Sequence, residues 1–126
     1  MTSTVTLDAG PLIQLDRQDR RVIVLLARAK EAGARVVVPA SALAQAIRDP
    51  ARQARLARLL RQPTTAVVPL DRVDATSVGR LLATTGTSDI ADAHVVVCAR
   101  RAHSGVVTSD PDDLRALDPA LELVVI

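Results

Sequence analysis

The 126-residue sequence contains no Phe, Tyr or Trp, a single Cys, and one lysine, Lys30, among its sixteen basic residues. With no aromatic rings, the core must be built from Val, Leu, Ile and Ala. RNA-binding modules that stack bases on ring faces are excluded as well. That removes one recognition mode without removing nucleic acid as a ligand. Cys98 alone permits neither a disulfide framework nor a Cys-based zinc site. It lies in the apolar run "AHVVVCA", where a buried thiol serves as a small hydrophobe. No stretch approaches 18 apolar residues, and no basic segment followed by a long apolar one opens the chain. The expectation is a soluble, cytoplasmic protein without membrane association.

What is present has the size of one domain, spanning 1–126, able to bury roughly 68% of its unfolded surface. Sixteen basic residues nearly balance fourteen acidic ones. The types are skewed: fifteen of the basic residues are Arg and twelve of the acids are Asp. Arginine favours planar, bidentate contact with carboxylate or phosphate, so an Arg-rich surface around an Asp cluster suits a phosphate-bearing substrate or an acidic partner. Replacement of Lys by Arg through genome base composition is the plain alternative.

Strand and helix patterns alternate along the whole length. "TVTLD" (4–8) reads as a strand, and 12–33 as one long helix ending on Gly33. "RVVVP" (35–39) is a buried strand stopped by Pro39; Ser41 then caps a helix. After Pro50 a helix runs to 62, "TAVVPL" (65–70) is a third strand, and Asp71 or Asp74 caps the next helix. "DIADAHVVVCARRAH" (89–103) is helical, "GVVTS" (105–109) a strand, "PDDLRAL" a short helix and "LELVVI" the closing strand. Such alternation implies a three-layer α/β/α sandwich with a mainly parallel central sheet.

In open parallel sheets, ligands bind beyond the carboxyl ends of the strands. Asp8 ends the first strand and Asp110 the fourth, so both project from one edge. Asp92 lies near the start of the helix that feeds the fourth strand, with Asp89 three residues earlier on the same face. Gln45 belongs to a helix that starts at that edge. Ordinary roles exist for several of these: Asp89 or Ser88 as a cap, Asp110 as a cap for the helix opening at Pro111, and Asp112 as a solvated first-turn acid. Asp8 is harder to dismiss, because Asp is depleted in strands. Collectively, carboxylates gathered at one edge repel by about 4 kcal/mol per close pair at an effective dielectric near 20. A divalent cation reverses that sign. Oxygen ligands without His or Cys suit Mg²⁺ or Mn²⁺, and a hydrated ion in such a site is equipped to cut phosphodiesters. No Walker A, G-x-G-x-x-G or G-x-S-x-G pattern is present. His94 and Cys98, four apart on one helix, lack further soft ligands for zinc, and His103 is expected to meet the last carbonyls of its helix.

Four segments in order, "LDAGPLI" (7–13), "VPASALAQ" (38–45), "TSDIADAHVV" (87–96) and "GVVTSDPDDLRAL" (105–117), make the chain resemble the PIN-domain family, and within it the VapC-like ribonuclease toxins of toxin–antitoxin pairs. The resemblance covers essentially the whole chain. It implies Asp8, Asp92 and Asp110 as catalytic, metal-binding acids around Mg²⁺ or Mn²⁺. Asp89 and Asp113 resemble accessory acids, with Thr108 and Ser109 where a hydroxyl orients a carboxylate or water. The departure is Gln45, where the family usually has Glu: an amide offers one oxygen but no charge, and cannot act as a base. The resemblance further implies an RNA substrate, a small antitoxin partner and a homodimer. On the helix after Pro50, Leu56, Leu59 and Leu60 share one face while Arg55, Arg58 and Arg61 spread over the other. That pattern fits contact with RNA or a partner, or an ordinary amphipathic helix on its own core. Two further readings stay open: a weakly active PIN scaffold binding antitoxin or RNA, and a phosphotransfer or phosphatase domain. The latter lacks the second acid and placed lysine that such sites use.

Overall fold

The computed structural model describes residues 3–126. Five strands form one sheet in the order β3-β2-β1-β4-β5, every neighbouring pair parallel. They are β1 (Thr4–Leu7), β2 (Arg35–Pro39), β3 (Thr65–Val68), β4 (Gly105–Thr108) and β5 (Leu123–Val125). Seven α-helices connect them: α1 (Ala9–Asp16), α2 (Arg20–Glu31), α3 (Ala40–Ala46), α4 (Ala54–Leu60), α5 (Arg72–Thr85), α6 (Ile90–Ala102) and α7 (Pro111–Leu117). Helices α1, α2 and α4 pack together on one side of the sheet; α5, α6 and α7 pack on the other, with α3 against both α1 and α6. The expected three-layer α/β sandwich is present.

Parallel strands covered on both faces read as continuous apolar runs rather than alternations. Val36, Val38, Val106 and Val107 obey this, each at most 5% exposed. Leu7, Leu12, Val95, Val96 and Leu114 complete the same core. Each such side chain contributes about 1.5–3 kcal/mol on burial, so an aliphatic core without rings is sufficient.

Three local expectations are corrected. The stretch 12–33 is two helices, because Gln18 adopts a left-handed φ of 59° and Asp19 caps a fresh start, its carboxylate accepting from Arg21 N–H at 2.9 Å. The helix after Pro50 is first a 3-10 turn, Pro50–Arg52, and becomes α-helical only from Ala54. Gln53 holds that joint: its Oε1 accepts from Arg48 and Asp49 N–H, and its Nε2 donates to Ala46 O. Ser41 does not cap α3; Pro39 occupies the cap position, and the Ser41 hydroxyl meets His94 Nδ1 at 3.1 Å instead. Of Asp71 and Asp74, Asp71 is the cap of α5, accepting from Asp74 N–H.

The topology carries the carboxyl ends of β1 and β4 side by side at the centre of the sheet, in the register Leu7↔Val107.

Candidate active site

One residue beyond that pair, Asp8 and Thr108 face each other. Asp8 N–H donates to Val107 O at 3.1 Å. The Thr108 hydroxyl, fully buried, donates to Asp8 Oδ2 at 2.8 Å, and Ala9 N–H donates to Oδ1 at 2.8 Å. Each carboxylate oxygen has two lone-pair directions, so Asp8 is fixed in orientation while retaining acceptor capacity. Its pKa is nevertheless raised: burial outweighs both hydrogen bonds, and Asp89 and Asp113 add repulsion.

Thr108 also positions the next acid, since its Oγ1 accepts from Asp110 N–H at 2.9 Å. Asp110 occupies the cap position of α7, but its side chain makes no capping hydrogen bond. The ordinary explanation for Asp110 therefore falls away. Its carboxyl is raised in pKa by Asp113 beside it, then by burial and by repulsion from Asp113, Asp8 and Asp112.

Helix α6 lies against β1 and β2, bringing Asp92 to the same edge. Asp89 caps this helix, accepting from Asp92 N–H at 2.9 Å, so its ordinary role is real. Asp92 is pushed up to about 7, by burial first and then by Asp89, Asp8, Asp113 and Asp110 in turn. Four other carboxylates acting on one means that Asp8, Asp89, Asp92, Asp110 and Asp113 share one electrostatic neighbourhood. Among the described residues none of the five enters an ion pair, and no cation is among the principal influences on Asp8, Asp92 or Asp110. An all-oxygen set with this uncompensated charge fits a hard divalent ion such as Mg²⁺ or Mn²⁺.

Asp112 is exposed and touches the site only by weak repulsion of Asp110. Gln45 is exposed and lines an open depression together with Ser88 and Asp89, at the flank of the acid cluster. Ser109 is exposed on the turn after β4 and presses on Gly10, where any Cβ would overlap its Oγ. Gly10 is thus required by close approach, a need visible in sequence only as a glycine inside "LDAGPLI". Leu56 and Leu59 are buried in the core and Leu60 is half-buried, as an amphipathic helix packed on its own protein requires; Arg58 and Arg61 are exposed and Arg55 is half-buried. His103 caps α6 through its backbone N–H, accepting a left-handed φ of 50°; the expected ring contact with the carbonyls is absent among the described hydrogen bonds.

A second acid site was not legible. Asp74 on α5, 2% exposed, meets the fully buried His94 Nε2 at 2.9 Å and is gripped by the Arg101 guanidinium on both oxygens. Cys98 adjoins them, and ligand atoms of Asp74, His94 and Cys98 lie within 4.8 Å of one another. Arg101 already neutralises Asp74, holding its carboxyl below the usual range with help from His94. Burial, then Asp74, pushes the Cys98 thiol up to about 11, which disfavours the thiolate a metal needs. This cluster is a structural ion pair tying α5 to α6.

A PIN domain model matches residues 5–118. No curated protein matches the sequence. In three dimensions the chain is similar to one in the crystal structure of VapBC2 from Rickettsia felis bound to a DNA fragment from their promoter. That similarity has a TM-score of 0.68 and 14% identity, and covers 97% of this chain and 98% of that one. With the family model spanning all but the first residues and the final strand, this chain belongs to the PIN domain family.

Proposed function

We propose that this chain is a Mg²⁺- or Mn²⁺-dependent endoribonuclease, the VapC-like toxin of a toxin–antitoxin pair, acting in the cytoplasm as a homodimer and restrained by a small antitoxin. PIN-domain membership supports a nuclease, and the fold likeness to a chain of VapBC2 supports the toxin–antitoxin setting. No described helix is long and apolar enough to cross a membrane. The observation that carries the reading is the gathering of carboxylates at one sheet edge: Thr108 bonds both Asp8 and the backbone of Asp110, and Asp89, Asp92 and Asp113 line one depression.

Asp8, Asp92 and Asp110 would hold the ion. When bound, it supplies Lewis acidity, polarising a phosphate oxygen and lowering the pKa of a coordinated water. The chain's own work is orientation and proton handling. Thr108 locks Asp8 through its hydroxyl and Asp110 through its backbone N–H. Asp89 and Asp113 keep the local potential negative, which favours a cation at the site.

In the test, purified protein binds Mn²⁺ and cleaves RNA, and Asp8→Asn abolishes both. Cleavage left intact in that variant would falsify the assignment. Gln45, uncharged and exposed, favours a second reading, a PIN scaffold of low activity that binds antitoxin or RNA. A Gln45→Glu variant separates the two. A sharp rise in metal-dependent cleavage identifies the amide as the defect; an unchanged rate means that Asp89 already supplies the charge.

A further inference from the structure

Beside the acid cluster the surface carries a run of depressions that share lining residues. The one holding Asp92 and Asp113 adjoins the one lined by Gln45, both being walled by Ser88 and Asp89. Gln45 also lines the next, with Arg17 and Arg48. That one shares Asp16 with a further depression walled by Arg52, Arg55 and Arg58. Five arginines therefore line successive depressions leading away from the carboxylates, which are linked by shared walls at Gln45 and Asp16 and are together called the furrow below.

The local structure shows why they are there. Asp16, at the end of α1, accepts from Leu56 N–H at 3.1 Å, which pins the first turn of α4 and hence Arg55 and Arg58 against the furrow. Gln53 ties the end of α3 to the start of α4, setting Arg48 and Arg52 on the same joint. Arg48 uses one guanidinium nitrogen on Ala44 and Ile47 carbonyls. Arg52 has a loose 3.5 Å contact with the exposed Asp49. Arg17, Arg55 and Arg58 form no ion pair among the described residues. Little of this positive charge is spent inside the protein.

Resting on the nuclease reading above, we infer that this furrow is the track for the phosphate backbone of single-stranded RNA, with Arg17 and Arg48 nearest the acid cluster and Arg52, Arg55 and Arg58 farther out. Guanidinium groups bind phosphate by charge and paired hydrogen bonds, without reading sequence. The absence of aromatic residues removes ring stacking as a means of holding a strand and raises the share of phosphate contact. A protein helix is a poorer fit to the outer depression, where Asp16, Gln18, Arg52, Arg55 and Arg58 make the exposed lining mainly polar. The apolar groove of Leu15, Ile23, Leu26 and Leu59 lies across Arg55 and Arg58, away from Arg17 and Arg48.

The test reads binding rather than cleavage. Fluorescence anisotropy of a labelled single-stranded RNA with the metal-free protein is followed across a salt series. Released counterions give a slope of log K against log salt of about 0.7 per neutralised phosphate. Arg17→Ala with Arg48→Ala lowers the slope by about 1.4, and Arg52→Ala, Arg55→Ala and Arg58→Ala together by about 2. The Lys versions of the same variants keep it. Arg72→Ala with Arg80→Ala, exposed on α5 outside the furrow, leaves it unchanged and serves as control. Melting curves confirm that each variant is folded. Equal loss in the control pair, unchanged slopes in both furrow variants, or no salt-dependent binding by the unaltered protein overturns the track. An effect confined to the outer three also overturns the track, leaving Arg52, Arg55 and Arg58 as an isolated phosphate-binding patch that does not lead to the acid cluster. Cleavage that depends on Asp8 while furrow variants bind normally removes the track and keeps the nuclease. Slopes that fall as expected without any cleavage do the reverse.

Discussion

Asp8 and Asp74 are both buried aspartates, 5% and 2% exposed, yet burial leaves them in opposite electrostatic conditions. Asp74 is met by the Arg101 guanidinium and by His94, and its carboxyl is held below the ordinary range. Asp8 is met by one hydroxyl, one N–H and other carboxylates, and is raised. Desolvation acts on both; the difference lies in the neighbours. A carboxylate whose cation is built into the chain serves stability. One held in place by neutral donors, among like charges, is relieved by taking up a proton or an added cation.

The largest effect that separates the two sites is on folding. Asp74→Ala strips Arg101 and His94 of their partner and costs about 3 kcal/mol in urea denaturation. That lies at the low end for a broken buried pair, because Arg101, half-exposed, turns to water. Asp8→Asn in metal-free protein costs far less or stabilises, since it removes a repelling charge while Thr108 keeps a partner. Equal losses at the two positions would erase the distinction.

Next in size is the response to metal. A cation that binds only the folded state stabilises by about 2.7 kcal/mol at a hundredfold excess over its Kd. Mn²⁺ is expected to raise the Tm of the unaltered protein and of the milder variant Asp74→Asn, and to leave Asp8→Asn nearly unmoved. A Tm shift that survives Asp8→Asn but disappears in a Cys98→Ala variant would move the metal to the buried cluster.

Much of this was readable from residue order. Alternating apolar runs and helical periods led to the sheet, with "RVVVP" in place to the residue, and aspartates directly after apolar strand residues pointed to one edge. What escaped was non-local or depended on a single dihedral angle. Gln18 breaks 12–33 by turning left-handed, a state that Asn or Gly would announce and Gln does not; only Asp19 as a possible cap hinted at it. Asp74 looks in sequence like one more acid in the first turn of a helix, because Arg101 lies 27 residues away. Ser41 has the residue type of a cap and spends its hydroxyl on His94. The furrow depends on the joint held by Gln53 and on Asp16 reaching α4, neither of which has a periodic signature.

A pH series sharpens the comparison further. Asp92 is raised from the ordinary 3.8 to about 7. Between those values the folded metal-free chain keeps a proton that the unfolded chain has lost. Stability is therefore greatest below about pH 4 for this group and declines as pH rises to 7. Because the carboxyl is only half-buried, water screening limits the effect to about 1–2 kcal/mol. Asp8 and Asp110 act in the same sense. Asp74, lowered, acts in the other: its stabilisation is present above the unfolded value and lost as acid titrates the folded carboxyl. Chemical denaturation across pH 4 to 8 with Asp92→Asn is expected to show a flatter profile than the unaltered chain, while added Mn²⁺ tilts the profile upward toward neutral pH.

The smallest effect belongs to Asp89, which has both kinds of role at once. It caps α6 by accepting from Asp92 N–H and is the foremost charged neighbour raising Asp92. Asp89→Ala loses the cap, a cost of about 1 kcal/mol, but also relieves repulsion, so the net loss near pH 8 should be smaller than the cap alone. Asp89→Ser keeps a capping oxygen without charge. It is expected to match the unaltered stability near pH 5, to exceed it slightly near pH 8, and to bind Mn²⁺ more weakly. If Asp89→Ser and Asp89→Ala lose the same stability at both pH values, Asp89 is only a cap, and the negative potential at Asp92 is set by Asp8, Asp110 and Asp113 without it.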